Sequence, residues 1–260
     1  MEKKTKAEIR HDKIRSMLIA KNFIPLSEFC DILNSSEATI RNDLRYLEEK
    51  GLIQRTYGGA LATGNTAFNS NMSMRSAAFK AEKESIANYV VNNILYSGQT
   101  IVLDAGTTNV EIAKKIVESS LKLTVLTNSF ATASILSDSE NINLYVAGGY
   151  YDNLNSSFCD EQAQKFFSTM YADIFFLSVN GISTEVGFTI SGNQNVSIKH
   201  AMLKSSKKCI VVADHSKFDK IGLKVVCGFN DVDTLLTDNK ADCEYIDQLI
   251  NEGLDIILAT

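Results

Sequence analysis

Long apolar runs are missing from this chain. No stretch approaches the roughly 20 residues that a membrane-spanning helix needs, so no membrane partner is expected. The opening Met1-Glu-Lys-Lys-Thr-Lys-Ala-Glu8 is too charged to begin a signal peptide, which makes the cytoplasm the expected compartment. Cysteines are few and odd in number: Cys30, Cys159, Cys209, Cys227 and Cys243 are spread widely, mostly in apolar surroundings. That pattern suits buried free thiols and not a disulfide framework or a zinc site. His11, His200 and His215 lack metal-ligand spacing, so neither a metal nor a cofactor is expected.

What is present is concentrated between Ser36 and Ala60. Ser36 offers a hydroxyl to the orphan N–H groups of a helical first turn, Glu37 puts a carboxylate near the positive end of the helix dipole, and Gly51 can take the left-handed conformation that ends the helix. Ile40, Leu44 and Leu47 recur at i, i+4 and i+7 as one apolar stripe. The opposite face carries Ala38, Asn42, Arg45 and Glu49, with Arg41 beside them. Arg can grip guanine and Asn adenine with two hydrogen bonds, so this helix is shaped for a DNA major groove.

The neighbourhood supports that reading. Ile9, Ile14, Leu18 and Ile19 form the apolar side of a first helix, and Leu26, Phe29, Cys30, Ile32 and Leu33 that of a second. The short Asn34-Ser35 break then gives the spacing of a helix-turn-helix. After the recognition helix, Leu52 to Arg55 is a short half-apolar run and Gly58-Gly59 a turn signal, so a hairpin wing is expected, with Arg55, Tyr57 and Gly58 near the sugar-phosphate backbone. The net charge of −5 looks wrong for such a partner until the chain is divided. Residues 1–57 hold 11 basic and 9 acidic side chains, whereas the remainder holds 15 and 22. Contact with DNA therefore belongs to the amino end, and a homo-oligomer, dimer or tetramer, is expected to present several copies.

These residues resemble the winged helix-turn-helix of the DeoR family of bacterial transcriptional regulators, whose signature runs roughly S-x-x-T-I-R-R-D-L…L-E-x-x-G-x-I-x-R-x-H-G-G-A. Thr39, Ile40, Arg41, Asp43, Leu44, Leu47, Glu48, Gly51, Ile53, Arg55, Gly58, Gly59 and Ala60 carry the match. Asn42 stands where the family usually has a second Arg, and Tyr57 where it has His. The resemblance implies a double-stranded operator as partner, with Ser36, Ala38, Thr39, Arg41, Asn42, Arg45, Arg55, Tyr57 and Gly58 as the contacting set.

A chain of 260 residues is comfortable for two domains. Residues 1–60 form the first, and Leu61 to Ser76, rich in Ala, Thr, Gly, Asn and Ser, reads as a linker to a second domain at 77–260. In that second part, strand candidates Thr100–Leu103, Leu121–Leu126, Ile142–Val146, Ile174–Val179, Cys209–Ala213, Leu235–Leu236 and Ile256–Leu258 alternate with helical patterns at 79–94, 110–117, 131–136, 161–167, 196–205 and 245–250. Near-continuous apolar strands interleaved with helices predict an α/β fold with a mostly parallel sheet covered on both faces. Such sheets bind ligands at the carboxyl ends of their strands.

Five polar loops fall there: Asp104-Ala-Gly-Thr-Thr108, Thr127-Asn-Ser129, Gly148-Gly149, Asn180-Gly181 and Asp214-His-Ser-Lys217. Gly106 permits close backbone approach, Thr107 and Thr108 bring hydroxyls to a helix start, and Lys217 is a candidate phosphate cation. Together they predict a pocket for a small, hydroxyl-rich anion. The same loops, with Asp173-Ile-Phe-Phe, Gly187-Phe-Thr189, Lys199 and Asp214-His-Ser-Lys-Phe218, resemble the DeoR effector domain, which is similar in fold to ribose-5-phosphate isomerase. Cys159 stands where that family usually has Gly, and Asn195 where many members have Glu. The resemblance implies a repressor of sugar metabolism genes, released by a phosphorylated sugar or related metabolite. The other reading is a sugar-phosphate isomerase-like enzyme with an accessory DNA-binding domain, for which Asp104, Asp214 and Lys217 offer acid-base groups; Asn195, however, cannot abstract a proton.

Overall fold

Two apolar stripes and one glycine organise the amino-terminal part of the computed structural model, which describes residues 5–21, 23–50, 52–56, 58–61, 72–191 and 196–260. Its contacts divide into two units, Met1–Ala78 and Phe79–Thr260. In the first, helix α1 (Lys6–Lys21) leads through strand β1 (Phe23–Pro25) into α2 (Leu26–Leu33) and α3 (Glu37–Glu49), followed by β2 (Gln54–Thr56) and β3 (Gly59–Leu61). Ile14 and Leu18 from α1, Phe29 from α2, and Ile40, Leu44 and Leu47 from α3 close on Ile24, Ile53 and Ala60 as one core. Each large apolar side chain fully withdrawn from water contributes about 1.5 to 3 kcal/mol, which is what holds three short helices together.

Two residues assigned to these stripes stand outside the core. Ile9 is 47% exposed and Ile32 is 57% exposed. Ile9 precedes Ile14 by five positions, about 140° round the helix and off its buried side. Ile32 lies in the last turn of α2, just before Asn34 takes a left-handed conformation and turns the chain. Ile19 and Gly51 lie outside the residues whose side chains are described.

The wing forms as a β2–β3 antiparallel pair with Arg55 opposite Ala60, and β1 adds to the other side of β3. It starts later than the expected Leu52, because Ile53 is drawn into the core. A Cβ on Gly59 would sit 2.1 Å from the Ile24 carbonyl, so only glycine lets β1 lie this close. Within the stretch expected to be a linker, Leu61 ends β3 and Met72–Ala77 forms a further helix, α4, in the first unit. Residues 72–77 contain no Gly or Pro to interrupt helical hydrogen bonding; residues 62–71 lie outside the described residues.

The second unit runs α5 (Lys80–Tyr89, continued by a π turn at Val90–Ile94), β4 (Thr100–Leu103), α6 (Thr107–Glu118), β5 (Leu123–Thr127), α7 (Phe130–Leu136), β6 (Ile142–Val146), the short hairpin β7 (Tyr151–Asp152) and β8 (Ser157–Phe158), and α8 (Glu161–Ser168). It continues with β9 (Ala172–Leu177), β10 (Gly181–Ser183), β11 (Gly187–Ile190), α9 (Val196–Lys204), β12 (Ser206–Val212), β13 (Lys224–Cys227), β14 (Thr234–Asp238), α10 (Cys243–Asn251) and β15 (Ile256–Ala259). All seven expected strands join one parallel sheet in the order β15-β14-β12-β9-β4-β5-β6. A three-stranded antiparallel sheet, β10-β11-β13, is additional.

Residue alternation explains why the strands read as unbroken apolar runs. Val102, Phe175, Leu177, Val211 and Leu235 point into one core with Ala163, Phe167, Met202 and Leu249 from α8, α9 and α10. Their strand neighbours Ile101, Leu103, Ile174, Phe176, Ile210 and Leu236 point into the other, with Ile86, Ile112 and Leu136 from α5, α6 and α7. Both faces are covered, so neither needs a polar period. The chain builds outward from β4 through β5 to β6, then returns to place β9 on the other side of β4. The crevice between the ends of β4 and β9 is therefore a topological switch point, the place where an open α/β sheet receives ligands.

Candidate functional site

The outer face of α3 carries its polar residues in solvent. Ser36 caps the helix by accepting from the Thr39 amide at 3.3 Å, and its hydroxyl lies 2.8 Å from the Thr39 hydroxyl. Ala38, Arg41, Asn42 and Arg45 are exposed on the side away from the core. Arg41 donates to Glu37 at 2.6 and 2.9 Å, and Arg45 has no ion-pair partner among the described residues. Arg55 is held by Glu48 at the base of the wing at 2.7 Å, near exposed Gly58. Tyr57 lies outside the described residues. Sequence reasoning gave no structural part to Asp43, which is 6% exposed and draws Arg10 and His11 of α1 onto α3. Its signal was a lone carboxylate one residue from the apolar stripe.

At the switch point the carboxylate of Asp104, which follows β4, accepts from the Asn109 amide at 2.8 Å and from the Ser178 backbone N–H, which follows β9, at 3.1 Å. Lys199 reaches in from α9, donates to Asp104, and donates to the Ser178 carbonyl at 3.0 Å. The pair is nearly closed to water, with Asp104 1% and Lys199 6% exposed. Gly106 sits so close that a Cβ would meet the Ser178 hydroxyl at 1.9 Å. Beside this pair lies a small cavity of about 20 Å³, room for a single hydroxyl- or amino-sized group, lined by Asp104, Asn128 and Lys199 together with Asp152, Asn155, Ser157, Cys159, Ile198 and Met202. Three residues expected from sequence thus meet here, although 95 positions separate Asp104 from Lys199.

The remaining expected residues take other places. Thr107 and Thr108 begin α6 and are not part of the cavity lining, which ends on this loop at Ala105. Thr127 donates to the Leu103 carbonyl at 2.6 Å and accepts from the Ser129 amide at 3.0 Å, while Ser129 caps α7. These two shape the loop that presents Asn128. Gly149, at φ +123°, leaves room for Asp160, whose carboxylate caps α8 and accepts from the Tyr150 amide at 2.8 Å. Those backbone bonds, from Ala163 and Tyr150, hold the Asp160 carboxyl below its ordinary value. Gly148 is exposed and outside the cavity lining. Asn180 accepts from the Ser191 amide at 3.1 Å, and Gly181 packs on the Lys220 carbonyl.

Lys217 does not line the cavity either. Its ammonium lies 4.0 Å from the fully buried Asp214 carboxylate. Burial pushes that carboxyl up, but Lys217, Lys83 and Ser216 outweigh it and hold it below the usual range. Among the polar lining residues, Asp152, Asn155 and Ser157 were missed from sequence, on a hairpin whose polar residues carry no strand period.

Residues 10–66 match the DeoR-like helix-turn-helix domain, and residues 78–239 match the DeoR C-terminal sensor domain. The chain belongs to the DeoR family. Over 231 residues it is 34% identical to the transcriptional repressor AccR of Agrobacterium fabrum, covering 88% of this chain and 89% of that one. It is 31% identical to the HTH-type transcriptional regulator GolR of Listeria innocua (96% and 98% covered) and 28% identical to the putative aga operon transcriptional repressor of Escherichia coli O157:H7 (96% and 93%). A ribose 5-phosphate isomerase from Methanocaldococcus jannaschii aligns with 54% of each chain at 19% identity and a TM-score of 0.39, too loosely to bear on function.

This DeoR protein is thus a DNA-binding transcriptional repressor and not an enzyme. Its Cys159, in place of the usual Gly, forms part of the cavity wall, where burial and the nearby Asp152 and Asp160 push the thiol up. Asn195 lies outside the described residues. No helix among the described residues is long and apolar enough to cross a membrane, and no cluster of His, Cys, Asp and Glu among them can hold a metal.

Proposed function

We propose that α3 and the wing read the operator and that the second unit releases it on binding a phosphorylated sugar or a related metabolite. Arg45 and Asn42 then face base edges, Arg41 flanks them, and Arg55, Tyr57 and Gly58 lie along the backbone. Ser36, Ala38 and Thr39 form the leading end of the helix. The observation that carries the effector reading is the buried Asp104–Lys199 pair at the switch point, which lines a cavity and has its Asp104 on the loop that leads into α6. A 12-residue helix presents N–H groups and a favourable dipole to an anion, and Thr107 and Thr108 add hydroxyls there. Release requires the effector to prefer the state that does not fit DNA. Several copies per operator, as a dimer or tetramer, supply the phosphate contacts that one weakly basic unit lacks.

The test is a melting screen of the full chain against pentose and hexose phosphates, followed by titration of operator complexes with each compound that protects. A compound at 100 times its dissociation constant adds about 2.7 kcal/mol of stability. A compound that both stabilises the protein and frees the operator supports the reading; stabilisers that leave the complex intact refute it. A fragment beginning at Phe79 should keep the protection and lose DNA affinity.

A further inference from the structure

The sensor cavity contains a buried acceptor that nothing engages. Asn128 is 6% exposed, and its side-chain nitrogen donates to the Phe158 carbonyl at 3.0 Å. That bond fixes the amide orientation, because a carbonyl oxygen accepts only from N–H and never from the amide oxygen. The Asn128 Oδ1 is left buried with no hydrogen-bond partner among the described residues. The hairpin whose Phe158 carbonyl accepts from Asn128 also brings to the lining Asp152, whose carboxylate accepts from the Leu154 amide at 2.9 Å and from Asn155 at 2.6 Å and still has lone pairs to offer. Lys199 is the one cation in the lining, and it is already committed to Asp104 and the Ser178 carbonyl. Two carboxylates against one ammonium leave the cavity with surplus negative charge and surplus acceptors.

A phosphate dianion suits none of this. It brings only acceptors and more negative charge, and it leaves the buried Asn128 oxygen unpaired, where an unmade bond is costly. Hydrogen-bond donors on a ligand satisfy every observation at once. We infer that the cavity reads the donor-bearing end of the effector, its hydroxyl or amino groups, with Asn128 as the specificity-determining acceptor and Asp152 beside it, while the phosphate end stays outside near Thr107. The inference rests on the reading of this unit as a sugar-phosphate sensor, and it reverses the expectation that the polar loops jointly grip an anion. The loop residue between two structural hydroxyls, Thr127 and Ser129, becomes the one that discriminates.

The experiment measures melting shifts of the full chain with glucose 6-phosphate, glucosamine 6-phosphate, sorbitol 6-phosphate, sorbitol and inorganic phosphate. It compares wild type with Asn128→Leu and Asp152→Asn. Asn128→Leu should weaken the sugar and polyol probes at least tenfold and leave any response to inorganic phosphate unchanged. Asp152→Asn keeps the hairpin acceptor for Leu154, so it carries the test if the first variant misfolds by circular dichroism. It should lower the preference for glucosamine 6-phosphate over glucose 6-phosphate at least threefold. Phosphorylated probes that bind Asn128→Leu as they bind wild type, or that all bind more tightly to Asp152→Asn, overturn the inference and leave the sugar-phosphate reading standing. Sorbitol binding as well as its phosphate, in an Asn128-dependent way, does the reverse. Silence across the panel counts against both.

Discussion

In the first unit the arginines of α3 stand in solvent, whereas in the second Asp104, Lys199, Lys83 and Asp214 are all buried. On the function proposed above, the difference follows from the partners. DNA brings its own field, so exposed side chains stay hydrated until contact and cost the folded state little. A small effector cannot reorganise its host, so the host desolvates and fixes its charges while folding, and each then depends on a companion. Asp43 and Arg75 are buried exceptions in the first unit, and the Asp43 carboxylate has Arg10 and His11 as companions. The reading surface is thus cheap to alter and the sensing site is not.

The largest effect that would sharpen this contrast is expected at Lys199. Lys199→Met strands Asp104 and should cost about 3 to 5 kcal/mol of stability in the second unit, read by urea unfolding, while Asp104→Asn in the same chain restores much of it. A loss under about 1 kcal/mol would remove the contrast altogether. Next, Asp43→Asn should cost the first unit about 1.5 to 3 kcal/mol, since bonds to a charged acceptor are lost on α1; an unchanged melting curve for that unit would rule out a tie between α1 and α3. Arg45→Ala should cost about 1 to 3 kcal/mol in operator affinity and relax base preference at one position, with no change in melting. Wild-type affinity would move base reading elsewhere on α3.

The smallest effect is at Glu37. It pairs with Arg41 at the surface, so Glu37→Gln should cost about 0.3 to 0.5 kcal/mol of stability. Operator affinity should rise in the same variant, because a carboxylate is removed near phosphate and Arg41 is released. A fall in affinity would mean that Glu37 orients Arg41 for contact.

Sequence made the sheet legible because both faces of its central strands are buried, and strands such as Ala172–Leu177 and Thr100–Leu103 therefore read as apolar runs with sharp polar ends. It made α3 legible because Ile40, Leu44 and Leu47 keep helical spacing and Ser36 caps them. The small β10-β11-β13 sheet was not legible: its strands are three or four residues long and begin at glycines or a lysine, which is how loops also look. The cavity was half legible. Asp104 and Asn128 sit at strand ends, where ligand loops belong, and Lys199 entered only through family resemblance. Asp152 and Asn155 were invisible because a two-residue strand has no period to show. Lys217 misled for a different reason, since a lysine after a strand says nothing of the buried carboxylate, Asp214, that holds it.

The switch-point topology also sets an order of birth. The first unit ends at Ala78 and its core uses residues from Ile14 to Ala60, whereas the cavity needs Asp104, the β7–β8 hairpin and finally Lys199 and Met202. At roughly 5 to 20 residues per second, a ribosome takes on the order of ten seconds to cover that interval. For that time the nascent chain carries its helix-turn-helix without the second unit and, on the proposed assembly, without partner copies. In the proposed oligomer, full-length chains damaged on α3 should therefore poison an intact copy, whereas chains cut short between the two units should be recessive.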